Sequence, residues 1–310
     1  MVCSYLLIVT GASRGFGKAL CVAFAETLLC SLDCVLVGRS ASALEETARE
    51  IESCRPGKST KCEVIVADLA SGDGLEDVAS RILDRSFSYS KIVYINNAGT
   101  LLPVQPVGSE LDIDCFSKTI QLNVTSPCIL VSEFLRRIKA SETAARVILV
   151  NVSSLWAVEP ASSFGAYCAT KAAVEMYFEV IAGELSGSSN VRVLNYAPGP
   201  LDTAMQEIIR SSSDVDSGIQ SMCRGMHEKG QLVSPYTSAL KCVRIVVEEL
   251  FKTGDHVDFY DQVEGVDYPR KEPTTCCANP DCQCGPGCMC GPQEGPQCGA
   301  CSSFMLGNRT

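Results

Sequence analysis

Three residues carry the chemistry this sequence can do: Ser154, Tyr167 and Lys171, within N-V-S-S-L-W-A-V-E-P-A-S-S-F-G-A-Y-C-A-T-K. Tyr167 and Lys171 are one helical turn apart. The A-A-V-E-M-Y-F-E-V-I-A-G-E-L that follows lacks proline and has an apolar face at helical spacing, so both side chains share one helix face. An ammonium beside a phenol favours phenolate, which predicts a pKa below the usual value of about 10. A phenol so tuned exchanges protons near neutral pH. Ser154 ends a strand-like run, R-V-I-L-V-N-V-S-S, and can donate a hydrogen bond to a substrate oxygen. By itself, Tyr-x-x-x-Lys is equally an ordinary surface pair on a helix.

The elements that must position these groups favour chemistry. Residues 5–10, Y-L-L-I-V-T, predict a strand, followed by G-A-S-R-G-F-G and the helical stretch K-A-L-C-V-A-F-A-E-T-L-L. Gly11, Gly15 and Gly17 let the backbone turn sharply and approach a diphosphate at the helix N-terminus. The same loop could also do no more than close a β-α unit. The second strand, D-C-V-L-V-G-R-S, ends in Arg39 and Ser40, where an NAD-selective domain places Asp or Glu. A guanidinium suits a 2′-phosphate, and Arg14 adds a second, so NADPH/NADP+ is expected as coenzyme. Asp68 and Leu69 follow the third strand, where a carboxylate can meet an adenine amino group. The fourth strand ends in N-N-A-G, whose small residues after Asn97 leave room for the coenzyme.

A polar helix over about 73–86, a loop over 100–112, a helix over about 113–139 carrying Asn123, and a strand at 145–152 complete the pattern. The Tyr/Lys helix at about 164–186 and the strand N-V-R-V-L-N-Y-A-P-G-P follow. Alternation of strands and helices predicts an α/β fold with a doubly wound parallel sheet, Rossmann-like and of a single domain. Ligands bind such sheets at the C-terminal strand edge, where Ser13, Asp68, Asn97, Ser154 and Gly199 would gather.

Composition narrows the function classes. The chain has 310 residues, 46% of them hydrophobic, and a net charge of −10. No basic patch stands out, which argues against nucleic acid and anionic membranes. No apolar run is long enough to span a bilayer, and the N-terminus reads as a strand rather than a signal peptide. Eleven of the 19 cysteines are scattered through residues 1–261 in mostly apolar contexts, as expected of reduced thiols in a cytoplasmic protein. The Asn123 and Asn151 sequons fall in core segments and are read as accidental.

Together T-G-A-S-R-G-F-G, N-N-A-G, Ser154, Y-C-A-T-K and P-G resemble the short-chain dehydrogenase/reductase family in order and separation. N-V-R-V-L-N-Y-A-P-G-P-L-D-T and F-K-T-G-D-H-V-D-F-Y-D are similar to a branch of it that reduces pterin side-chain carbonyls. The resemblance spans residues 1–261. It implies an NADPH-dependent homodimer acting on a small pterin. Tyr167 would be the proton donor, Lys171 would tune it and hold the ribose, Ser154 would polarise the carbonyl, and Asn123 would support a proton relay. It further implies coenzyme contacts at Ser13, Arg14, Phe16 and the loop Leu201, Asp202, Thr203, Met205 and Gln206. Leu155 and Gly199 would line the substrate site, and Asp258 would grip the pterin's paired donors.

Other readings stay open: a reductase of other vicinal or aromatic carbonyls, or a coenzyme-binding sensor with weak turnover. Residues 262–310 depart from the resemblance. Eight cysteines crowd between Cys276 and Cys301 among Pro and Gly without apolar pattern. A disordered tail is expected. Its close thiol pairs suit a soft metal, but no metal ligand set is assigned.

Overall fold

The computed structural model describes residues 3–72, 74–83, 87–188 and 190–266. Its strands are β1 (Ser4–Thr10), β2 (Ser31–Gly38), β3 (Thr60–Val66), β4 (Lys91–Asn96), β5 (Arg146–Val152), β6 (Val191–Ala197) and β7 (His256–Asp258). They form a seven-stranded sheet in the order β3-β2-β1-β4-β5-β6-β7. All neighbouring pairs are parallel. Runs such as L-L-I-V in β1 are apolar throughout because both sheet faces are covered. The chain winds outward from β1 to β3, then returns to place β4 on the other side of β1. That reversal opens a crevice at the carboxyl ends of β1 and β4.

The helices are α1 (Gly15–Thr27), α2 (Ala41–Ser53), α3 (Leu75–Leu83), α4 (Ile113–Ile120), α5 (Ser126–Ala140), α6 (Gly165–Glu184), α7 (Ala204–Ser211), α8 (Ser217–Glu228) and α9 (Pro235–Glu248). One face of the sheet packs on Leu20 and Phe24 of α1, Leu44 and Ile51 of α2, and Val243 and Val246 of α9. The other packs on Val78 and Ile82 of α3, Leu130 and Phe134 of α5, and Val174 and Phe178 of α6. A smaller cluster above the strand ends joins Leu101, Phe164 and Tyr167 to Ile209, Val215 and Cys223.

The helix expected over 113–139 is α4 and α5 joined by a π-helical turn at Gln121–Thr125, which carries Asn123. Pro127, in the first turn of α5, cannot donate a backbone bond, and a widened turn absorbs the mismatch. β7 escaped the sequence reading because H-V-D is too short to show alternation. Packing continues past Asp261, with Val263 and Val266 set against the core. The cysteine-rich stretch, with the rest of 267–310, lies outside the described residues. Among those described, no helix is long and apolar enough to cross a membrane. The sequon residues Asn123 and Asn151 are buried.

Candidate active site

Ser154 follows β5 and caps the short 3-10 turn Leu155–Ala157, its Oγ accepting from the Trp156 N–H at 3.1 Å. The Ser154 proton is therefore left for another acceptor. Tyr167 and Lys171 lie on the first turns of α6, both buried. Lys171 Nζ donates to the Val152 carbonyl at 2.7 Å, which ties α6 to the end of β5. Asn123, from the π-turn, donates to Thr100 O at 2.7 Å and to Thr170 Oγ1 at 3.1 Å, and accepts from the Thr100 N–H at 2.9 Å. It thus locks the loop after β4 to the helix that carries Tyr167. The widened turn tips this side chain inward, a known use of π-bulges.

The electrostatics differ from the sequence expectation. Burial pushes the Tyr167 phenol up to about 12, and the Ser154 hydroxyl beside it acts the other way. The Lys171 Nζ lies over the Tyr167 ring, 5.8 Å from its centroid. Burial pushes Lys171 itself down to about 8, opposed by the carboxylate of Glu175 one turn further along α6. Desolvation outweighs the pairwise attraction that spacing alone suggested.

On the coenzyme side, Gly11 and Gly17 serve close packing: a Cβ on Gly17 would come within 2.3 Å of Gly11 O. Gly15 has φ of +56°, and a Cβ there would meet only Thr203 Cγ2, at 3.7 Å, so the backbone is open to a diphosphate. Phe16 is a core residue whose ring stacks on Tyr196 at 6.2 Å. Asn97 Nδ2 donates to Thr10 O and Gly11 O at 2.9 and 3.2 Å, so its amide braces the glycine loop. Ser13 sits beside Gly38, with Arg14, Arg39 and Ser40 exposed around them. Ser40 Oγ caps α2, accepting from Ala43 N–H. Asp68 is exposed and accepts from Ala70 N–H. The Leu69 side chain enters the core and its carbonyl accepts from Ser126. Leu201 bridges to Val233, Thr203 stands at the N-cap of α7 without a side-chain bond to it, Asp202 and Met205 are exposed, and Gln206 is buried.

On the substrate side, β7 places Asp258 in register with Ala197 of β6. Its Oδ1 accepts from Tyr260 N–H at 2.9 Å. Burial raises its pKa, and the Tyr260 bond opposes this. Gly199 has φ of +77° and lies against Phe259. Leu155 is exposed, and the ring of the next residue, Trp156, lies edge-on to Tyr167 at 6.1 Å. Sequence reasoning missed Trp156, Ser153, Glu175, Lys241 and His256. Buried Lys241, on α9, donates to the carbonyls of Asp258, Phe259 and Asp261 and so fixes the turn that presents Asp258. A lysine and a glutamate inside otherwise apolar helical faces were the available signal.

The residues fit a nicotinamide dinucleotide. The N-terminus of α1 has no side-chain cap and no acid in its first turn, as a diphosphate requires. Among the described residues Arg14 and Arg39 have no ion-pair partner. The buried Lys171 ammonium, with three donors, makes one hydrogen bond to the described chain.

A family profile described as "short chain dehydrogenase" matches residues 6–214, and the chain belongs to that family. It is an oxidoreductase that uses NADPH to reduce carbonyl groups. The chain is 36% identical to sepiapterin reductase of Bos taurus over 260 residues, 83% of this chain and 95% of that protein. It is 31% identical to benzil reductase ((S)-benzoin forming) of Bacillus subtilis (strain 168) over 231 residues, 74% of this chain and 88% of that one. Among solved structures, the KRED1-Pglu enzyme superposes with a TM-score of 0.69 at 25% identity, covering 82% of this chain and all of that one.

Proposed function

We propose that the protein reduces the side-chain carbonyls of pterins with NADPH, as a sepiapterin reductase does, with Tyr167 as proton donor. The observation that carries this reading is Asp258, a half-buried carboxylate held by a three-residue strand and a lysine-latched turn at the strand edge that carries Ser154. Tyr260 occupies Oδ1, and the rest of the carboxylate can accept the paired donors of an amino-pyrimidine. The similarity to sepiapterin reductases supports it.

When bound, the coenzyme supplies the hydride. The residues of this chain hold it and handle the proton. Gly15 and the α1 N-terminus would hold the diphosphate, Arg14 and Arg39 the 2′-phosphate, and Lys171 the nicotinamide ribose. Ser154 Oγ–H donates to the substrate carbonyl oxygen. Tyr167 Oη gives its proton to that oxygen as charge develops, and the Lys171 ammonium stabilises the phenolate left behind. Asn123 keeps Thr100 and Thr170 fixed beside this group.

The proposal extends to a homodimer and to the cytoplasm. Ile129 on α5 and Met176 and Val180 on α6 are 42%, 58% and 48% exposed, an apolar stripe suited to a second copy. All eleven described cysteines are free thiols, as in a reducing compartment. A second reading, reduction of vicinal aromatic diketones, is favoured by the Trp156–Phe164 wall at 4.5 Å and by the benzil reductase similarity. The test follows NADPH absorbance with sepiapterin and with benzil. We expect the higher kcat/KM with sepiapterin, and turnover of benzil alone would reject the pterin assignment.

A further inference from the structure

Behind the catalytic residues lies a buried polar network that the mechanism does not use. Glu175 stands one turn beyond Lys171 on α6 and is 3% exposed. Its Oε2 accepts from Ser153 Oγ, and its Oε1 is 2.7 Å from His256 Nδ1. Ser153 lies between Val152, whose carbonyl holds Lys171, and Ser154. His256 comes from β7, two residues before Asp258. On the same sheet face, Asn96 donates to Asn151 at 2.9 Å and Asn151 to Asn195 at 2.9 Å, and Asn195 is in register with His256. One side-chain ladder therefore crosses β4, β5 and β6 and ends beside the histidine that grips Glu175.

We infer that Glu175, one helical turn from Lys171 and bonded to Ser153 beside the Val152 carbonyl that receives the ammonium, is a positioning residue for Lys171. The inference rests on the reading that Lys171 serves Tyr167 and the coenzyme. Residues one turn apart on a helix face are neighbours. An unpaired carboxylate would be costly to bury, and both of its oxygens are taken by groups that fix its direction. The titratable groups around the pair are Tyr167 and Lys171 on α6, His256, Asp258 and Asp261 around β7, and Lys241 on α9. β5 contributes only the hydroxyls of Ser153 and Ser154. Burial pulls the Lys171 pKa down and Glu175 pulls it up, so removing the charge at 175 lowers it further. The ammonium would then be largely neutral at slightly alkaline pH. The carboxylate also favours protonated His256, whose pKa is raised chiefly by this hydrogen bond.

The experiment is side-chain 15N NMR of lysine ammonium groups in the full chain without coenzyme, with Lys171 assigned through Lys171→Met. In Glu175→Gln the Lys171 titration is expected to fall by about one pH unit, the lower end for loss of an opposite charge nearby. Glu175→Asp, which keeps the charge, is expected to restore most of it. The alkaline limb of kcat/KM for NADPH should move to lower pH by the same amount, with near-parental values recovered at pH 6.5. If Glu175→Gln does not fold, His256→Ala replaces it: the NADPH KM should rise and His256→Asn, which keeps a donor at the Nδ1 position, should restore it. A Lys171 that titrates at the parental pH in Glu175→Gln overturns the inference even if activity falls, because a merely structural carboxylate would lower activity at every pH. A shifted Lys171 in a chain with no reductase activity leaves the inference standing and defeats the proposed function instead.

Discussion

The two ends of the sheet use charge in opposite ways. At the amino ends of the strands, Glu249 receives Lys91 of β4 at 3.0 Å, Arg146 of β5 at 2.6 Å and Arg192 of β6 at 3.4 Å. Burial works against that carboxylate, yet Arg146 and Lys91 hold its pKa down at about 2. At the carboxyl ends, Lys171 makes one hydrogen bond to a carbonyl, Arg14 and Arg39 make no ion pair among the described residues, and Asp258 keeps part of its carboxylate open. A saturated charge ties strands together and has nothing left for a ligand. An undersatisfied charge costs stability and gains differential interaction with whatever arrives.

Substitutions at the two ends should therefore have different signatures. Tyr167→Phe keeps the ring and removes the acid; reduction should slow by about 10²–10⁴-fold with little change in Tm or NADPH affinity. Parental turnover in that variant would erase the catalytic side of the contrast. Asp258→Ala should cost pterin reduction about 2–5 kcal/mol while diketone reduction persists. Equal losses on both substrates would move Asp258 to the structural end of the comparison.

Glu249→Gln should leave kcat near parental and cost about 2–3 kcal/mol in urea unfolding, a buried-pair value discounted for partial exposure. The sign with pH follows from a depressed carboxylate. Its contribution is complete above the unfolded pKa of about 4.3 and is lost as pH falls towards 2. Acid unfolding of the Gln variant should therefore show a shallower slope over that window. A Glu249→Gln chain with parental stability would mean that three cations around one carboxylate contribute nothing net. Arg39→Asp should raise the NADPH KM by about 10–100-fold, the value of a charged hydrogen bond, with a smaller effect for NADH. Parallel changes for both coenzymes would show that Arg39 does not read the phosphate. The smallest effect is expected at the end of the chain: truncation after Val266 should leave kinetics and Tm unchanged, whereas truncation after Asp261 removes the Val263 and Val266 contacts and lowers Tm.

Much of this was legible in the sequence because it depends on local chemistry. The strand–glycine–helix turn at residues 5–27, Arg39 after β2, Ser154 after β5 and the Tyr167–Lys171 spacing are all short-range patterns. The parallel order follows from strand–helix alternation, which leaves few alternatives. The motifs place Phe16, Leu69 and Asn97 along the chain but do not give the direction of their side chains. The Phe16 and Leu69 side chains enter the core, and the Asn97 amide braces the glycine loop.

The sequence by itself determined the strand–glycine–helix turn, the candidate proton-handling residues and the family, since each is carried by residue type at fixed separation. Only the tertiary structure decided the electrostatics. Burial sets the Tyr167 and Lys171 pKa values against the direction that pairwise spacing predicts, because desolvation depends on every atom that excludes water. It also decided the partners of Glu175 and Lys241. His256 lies 81 positions from Glu175, and Lys241 meets a turn 17 to 20 residues further on. No local spacing rule reaches those distances: β7 must first pair with β6 before either contact can form.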